Sequence, residues 1–359
     1  MQITSSLTSS PTDDARLAEI LANPGFGTNF TDHMFTVEWT PVDGWHNARV
    51  APYGPVPLDP AAAVLHYAQE VFEGMKAYRH PDDTVWMFRP EANAERMIRS
   101  CHRLALPVLE VPDFVQAVSA LVEADQRWVP TNEQGGEKSL YVRPFMFASE
   151  RFLGVRPAQH VTFMVIASPA GAYFKGGAKP VNLWLSEEYT RAGRGGMGAA
   201  KTGGNYASSL IAQEEANAHG CDQVVFLDAE EGKYVEELGG MNLCFVFDDG
   251  SIVTPETGTI LEGITRASVM ELAGKMGHHV TERRLGIDEW RQGVTDGRIV
   301  EIFACGTAAV VTPVGELRAK DGVTPAPART ELTMRIREAL VDVQFGRADD
   351  SFGWMRRIC

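Results

Sequence analysis

Short apolar runs and segments of helical period alternate through the first half of the chain. Residues 65–67, 72–78 and 85–88 read as strands. Glu73-Gly74 is a turn-prone point among them, and Asp82-Asp83 joins the last two as a hairpin. Residues 91–104 bring Met97, Ile98, Cys101 and Leu104 to one face at helical spacing. Asp113 stands where an N-cap belongs, ahead of a second helix over 114–128, and strands follow over 140–147 and 160–167. Pro169, Gly171, Gly176, Gly177 and Pro180 then cluster as in a linker. Beyond them, strands are predicted over 181–187, 222–227, 242–247, 251–254 and 299–304. Helices are predicted over 205–219, stopped by Gly220, and over 265–276, with Thr265 as N-cap and Gly277 at the end. Asp249-Gly250 makes the turn between two of these strands.

Strands mixed with helices in this order predict an α+β (mixed α/β) fold, not one doubly wound parallel sheet. A chain of 359 residues suits two domains. The expected division is an extension over 1–30, a small α/β domain over 31–168, a linker over 169–180 and a large domain over 181–359. The Ser/Thr-rich start, from Met1 to Asp14, lacks the cationic-then-apolar order of a secretory signal and reads as a loosely ordered leader.

Composition narrows the function classes. Apolar residues make up 44% of the chain, enough for an ordinary core, and no apolar run reaches the roughly 20 residues that span a bilayer. The net charge of -14 repels nucleic acid and anionic membranes, so a phosphate-bearing ligand would have to be caught by a local device. Cys101, Cys221, Cys244, Cys305 and Cys359 are odd in number and widely spaced. They form neither a disulfide framework nor zinc pairs, so no metal is expected, and a reducing cytoplasm is the expected location.

Gly193-Arg194-Gly195-Gly196-Met197-Gly198 matches G-x-G-x-x-G literally. A dinucleotide site needs its helix to start inside the glycine pattern, whereas here the helix starts after Lys201. Ala200 occupies the place of the glycine that a Walker A loop needs before its lysine. A nicotinamide-dependent oxidoreductase is thus the rival from another class, with a non-catalytic scaffold as a further one. What remains is a lysine among small residues, with room beside it for a planar ring, as a Schiff-base lysine requires. A solvated lysine in a glycine loop is the plain alternative.

Lys201-Thr202-Gly203-Gly204-Asn205-Tyr206-Ala207-Ser208-Ser209 resembles the cofactor-lysine segment of the branched-chain aminotransferases, which are fold-type IV pyridoxal-phosphate enzymes. Five more segments resemble that family in the same order: Phe72-Glu73-Gly74-Met75-Lys76-Ala77-Tyr78, Tyr141-Val142-Arg143-Pro144, Glu236-Glu237-Leu238-Gly239-Gly240-Met241-Asn242, and the turns Gly263-Ile264-Thr265-Arg266 and Gly306-Thr307-Ala308. Together they cover the chain from about Phe26 to Pro313. The resemblance implies a small α/β domain and a larger β-rich pseudo-barrel that binds pyridoxal 5′-phosphate. It also implies ping-pong transamination of leucine, isoleucine and valine with 2-oxoglutarate. D-amino-acid aminotransferases and aminodeoxychorismate lyases share the lysine and glutamate logic and are the nearer alternatives.

The resemblance assigns roles residue by residue. Lys201 carries the cofactor and moves the proton. Glu237 holds the ring nitrogen protonated, with Glu236 as its solvated neighbour. Tyr206 meets the phenolic oxygen. Arg96 holds the phosphate, and Arg99, one turn on, is its rival. Ile264 and Thr265, at a loop-to-helix entry, add backbone donors to the phosphate, as does Thr307. Tyr141 and the Thr307-Ala308 backbone take the substrate carboxylate, and Tyr67, Phe72 and Tyr173 wall an apolar pocket. Arg143 is read as an edge donor for the second carboxylate of glutamate. Each has a plain counterpart: core aromatics, a surface arginine, a helix cap or a strand-end turn. A homodimer is implied, with Tyr67 and residues 152–155 matching loops that reach the neighbouring site. Ala309 and Thr312 stand where some members carry C-x-x-C, so no thiol switch is expected there.

Overall fold

The computed structural model describes residues 1–132, 136–171 and 179–359. In chain order it has β1 (Thr4–Ser5), α1 (Asp14–Ala22), β2 (His33–Thr40), β3 (Gly44–Pro52), α2 (Val64–Tyr67), β4 (Glu70–Phe72), β5 (Met75–Arg79), β6 (Val85–Phe88), α3 (Pro90–Leu104), α4 (Val111–Ala124), β7 (Ser139–Ala148) and β8 (Val161–Ala170). These are followed by β9 (Val181–Ser186), α5 (Gly203–Ala218), β10 (Gln223–Leu227), β11 (Val235–Leu238), β12 (Asn242–Phe247), β13 (Ile252–Thr254), α6 (Ile264–Lys275), β14 (Val280–Glu282), α7 (Ile287–Thr295), β15 (Ile299–Gly306), β16 (Val310–Ala319), β17 (Gly322–Thr324), α8 (Glu331–Gln344) and β18 (Met355–Arg357). The fold is mixed α/β.

Two compact units divide the chain. Met1–Tyr173, Ala200–Gly203 and Asp342–Cys359 form the first; Phe174–Ala199 and Gly204–Val341 form the second. This departs from the linear division expected from composition. Asp342–Cys359 returns to the first unit because β18 pairs with β6, Met355 opposite Phe88 and Arg357 opposite Trp86.

The sheet of the first unit runs β1-β3-β2-β8-β7-β5-β6-β18, with β4 also on β7. Helices α3 and α4 bury their apolar faces with it. Met97 and Cys101 are buried, as are Phe114 and Leu121 of α4, while Ile98 and Leu104 are only half-buried. Phe163 of β8 lies 5.9 Å from Phe114 and 6.2 Å from Phe35, ring centre to ring centre.

Four local expectations are corrected here. Residues 65–67 form part of the single helical turn α2, not a strand. Residues 72–78 are not one strand: β4 and β5 both pair with β7 and are interrupted at Glu73-Gly74. Helix α4 starts at Val111 with Pro112 in its first turn, Glu110 at the N-cap and no side-chain cap. Asp113 instead accepts from the Met1 amine at 2.7 Å. The leader is docked: β1 runs parallel to β3, the Thr8 N–H donates to His33 Nε2 at 2.9 Å, and Thr12 donates to Asp32 through both its amide and its hydroxyl.

The sheet of the second unit runs β11-β10-β9-β16-β15-β12-β13-β14, with β17 on β16. Strand β12 is buried along nearly its whole length, so it reads as a continuous apolar run and not as an alternation. On one face Phe245 meets Trp290 of α7 edge-on at 5.0 Å, a contact worth about 0.5–1.5 kcal/mol beyond its area. Elsewhere in the unit, Ala212 and Ala216 of α5 pack with Trp184, Val224 and Phe226. Among the described residues no helix is long and apolar enough to cross a membrane.

Candidate active site

In the first unit the backbone of Lys201 is held from both sides. Its N–H donates to Ser100 Oγ of α3 at 2.9 Å, and its carbonyl accepts from the Phe72 N–H at 3.0 Å. The next residues are tied to β4: Thr202 Oγ1 donates to the Glu70 carbonyl at 2.7 Å, and the Gly203 N–H donates to the Glu70 carboxylate. The lysine is thus built into the first unit, and its Nζ lies 4.8 Å from the centre of the Phe72 ring. Burial pushes the Glu70 carboxyl above its ordinary range, against the opposing pull of Gly203, Thr202 and Arg143.

The interruption between β4 and β5 turns Glu73 inward. Arg96 donates to it through Nε at 2.8 Å and Nη2 at 2.7 Å, and Asn93 Nδ2 adds a third bond at 2.7 Å. Burial alone would raise the Glu73 carboxyl, but the charge and hydrogen bonds of Arg96, with the positive charge of Lys201, hold it below its usual range. Arg96 is therefore a buried partner of Glu73, while Arg99 is exposed on the same helix. Reading the sequence missed Glu73 as a site residue; its available signal was a carboxylate placed between apolar strand residues.

Alternation along β7 puts Tyr141 and Arg143 on one face. Arg143 Nη2 donates to the Tyr141 hydroxyl at 3.0 Å, and its guanidinium lies 4.8 Å from the Phe72 ring centre and 5.3 Å from that of Tyr141. Its Nε is buried without a hydrogen-bond partner among the described residues. A Cβ at Gly74 would meet the Tyr141 hydroxyl, so any larger residue there would force Tyr141 to shift. Phe72, Tyr141 and Arg143 thus form one cluster. Tyr67 lies on the exposed turn α2, where its hydroxyl donates to the Leu153 carbonyl. Tyr173 lies outside the described residues.

The second unit holds the remaining expected residues. Glu237, on β11, forms a buried ion pair with Arg191 and accepts from the Leu261 N–H at 3.2 Å. The Arg191 guanidinium lies 5.7 Å from the Tyr206 ring centre. Glu236 is not the solvated neighbour expected. It is buried and accepts from Thr259 Oγ1, and burial raises its carboxyl despite that bond. Ile264 and Thr265 open α6, but Gly263 holds the N-cap position and no side chain caps the helix, which corrects the reading of Thr265 as N-cap. The first-turn amides of a helix have no partner within it and suit an anion. A side chain at Gly263 would strike Asn242, so this backbone corner needs glycine. Thr307 and Ala308 form the turn after β15, both half-buried. Thr312 donates to the Lys179 carbonyl at 3.0 Å. The glycine loop feeds no helix directly, since α5 starts only at Gly203. A cavity of about 390 Å³ in this unit is lined by Glu236, Thr259, Arg284 and the glycine loop, and by none of the expected site residues.

Each unit by itself carries groups that suit part of a phosphorylated, cationic ring: the second has an uncapped helix start at Ile264-Thr265 for an anion and a buried carboxylate for a ring nitrogen, and the first has a lysine amine against an aromatic face. Residues 70–317 match the family described as class IV amino-transferases, and the chain belongs to that family. It is 56% identical to a probable branched-chain-amino-acid aminotransferase of Streptomyces coelicolor over 97% of this chain and 96% of that one. It is 53% identical to a branched-chain-amino-acid aminotransferase of Mycolicibacterium smegmatis, covering 100% and 98%. Among solved structures, the Escherichia coli branched-chain amino acid aminotransferase superposes with a TM-score of 0.76 at 28% identity, covering 91% of this chain and 99% of that one. A branched-chain amino acid aminotransferase of T.th., solved with pyridoxamine 5′-phosphate, gives 0.74 at 29% identity, covering 90% and 98%. The mixed α/β fold of this chain matches theirs and is the fold-type IV architecture.

Proposed function

We propose that this protein is a branched-chain-amino-acid transaminase that uses pyridoxal 5′-phosphate and passes the amino group of leucine, isoleucine or valine to 2-oxoglutarate by a ping-pong route. The observation that carries this reading is the lysine itself, anchored through both backbone groups with its amine over an aromatic ring. The cofactor, when bound, supplies an electron sink for the substrate carbanion. Lys201 Nζ holds it and moves the proton of the substrate α-carbon. Glu237 faces the ring nitrogen and Tyr206 the phenolic oxygen. Arg96, the start of α6 at Ile264 and Thr265, and Thr307 hold the phosphate. Tyr141 and the Thr307-Ala308 backbone take the substrate carboxylate, and Phe72 with Tyr67 and Tyr173 excludes water around the branched side chain. Arg143 is the edge donor for the second carboxylate of glutamate, so Arg143→Ala lowers turnover of glutamate more than that of leucine; equal losses would refute that role. The working form is a cytoplasmic homodimer.

The test is an absorption spectrum of the protein reconstituted with pyridoxal phosphate, before and after L-leucine, followed by borohydride trapping. A yellow band that L-leucine bleaches and D-alanine does not, with the reduced label on Lys201, is expected. A label on another amine, or no chromophore, refutes the reading.

A further inference from the structure

We propose that Arg191 is a positioning residue for this reaction: it keeps the Glu237 carboxylate ionised and aimed, and through it keeps a proton on the cofactor's ring nitrogen. The inference rests on the reading above, in which Glu237 meets that nitrogen. Both partners are sealed from water, Arg191 at 5% and Glu237 at 2% exposure. Arg191 Nη1 and the Leu261 N–H both donate to Oε1 of Glu237, which fixes the plane of the carboxylate from one side. The same guanidinium lies 5.7 Å from the Tyr206 ring centre, so one cation borders both groups assigned to the polar edge of the cofactor ring.

Physical chemistry gives the direction of the effect. A carboxylate this deeply buried takes up a proton unless a positive charge adjoins it. A neutral Glu237 would donate a hydrogen bond to the ring nitrogen and leave it unprotonated, a weaker electron sink. Arg191 touches the carboxylate itself, so its attraction for the anion exceeds its repulsion of a cation held across that carboxylate. The pair therefore favours carboxylate with protonated ring over carboxylic acid with neutral ring. Arg191 also keeps its Nε buried with no partner among the described residues. An apolar side chain would fill that space without leaving a donor unsatisfied, so packing alone does not account for an arginine there.

Holoenzyme reconstituted with ring-¹⁵N pyridoxal phosphate tests this, with the ring signal read by NMR beside steady-state kinetics. E237Q should move the signal from the protonated to the unprotonated position. R191Q should move it the same way, with R191K restoring most of it. In R191Q, kcat should fall by about tenfold, the rate equivalent of about one pKa unit, while KM for leucine changes little. In the R191Q/E237Q double variant, which removes both buried charges together and so leaves neither unpaired, R191Q should add nothing to the effect of E237Q. That comparison decides the matter even if R191Q alone does not fold. A shifted E237Q beside an unshifted R191Q, or losses that add in the double variant, overturns the inference and leaves the Glu237 reading standing. An unshifted E237Q sinks both.

Discussion

Three hydrogen bonds from Arg96 and Asn93 converge on Glu73, a side chain with no exposed surface. Taking away one member of such a pair costs about 3–5 kcal/mol, because the other is left buried and charged. Arg96→Ala should therefore lower the unfolding free energy of the cofactor-free protein by about that much in urea. A loss that appears only when cofactor is bound would mean that Arg96 acts through the phosphate alone. The pH dependence separates the cases further. In the native protein the Glu73 carboxyl is held low, so its contribution is present above the ordinary carboxylate range and is lost as pH falls through the depressed value. Without Arg96, burial dominates and the direction reverses: stability is greater below the ordinary value and is lost as pH rises through the raised one. The difference between variant and native protein should narrow on acidification.

At the scale of elements, what the sequence made legible was local. Helix α3 followed from the spacing of Met97 and Cys101, and the β5–β6 hairpin from Asp82-Asp83, where Asp83 takes a positive φ of 67°. The lysine segment stood out through its resemblance to a family whose model matches residues 70–317. Other regular patterns went unread, such as Leu332, Ile336 and Leu340 at helical spacing in α8, and the apolar positions Phe35 and Val37 of β2. What was not legible depended on neighbours far along the chain. Asp113 looked like a cap, but Pro112 lets α4 begin earlier and the Met1 amine claims the carboxylate. Glu236 read as solvated, but both faces of β11 prove to be covered, by Thr259 behind Glu236 and by Arg191 and Leu261 against Glu237. The signal for Arg191 was conditional: a glutamate within a buried strand calls for a buried cation, and Arg191 and Arg194, just before and within the glycine loop, are candidates.

On the scale of the whole molecule, Leu153 is 61% exposed and Val155 86% exposed, on a loop whose backbone already accepts a hydrogen bond from Tyr67. Burying such side chains is worth about 1.5–3 kcal/mol each, and a two-fold interface counts every one twice. That gain is unavailable to a single chain, because the residues stand off its own core. The substitutions L153D and V155D together should therefore leave the unfolding of one chain almost unchanged. If the proposed homodimer holds, with this loop completing the partner's site, they should nonetheless shift the sedimenting species from dimer to monomer and abolish transamination. Sedimentation velocity and turnover measured on the same samples decide this. A native protein that is monomeric on dilution and fully active would show that one chain suffices, and that these apolar side chains serve some other contact.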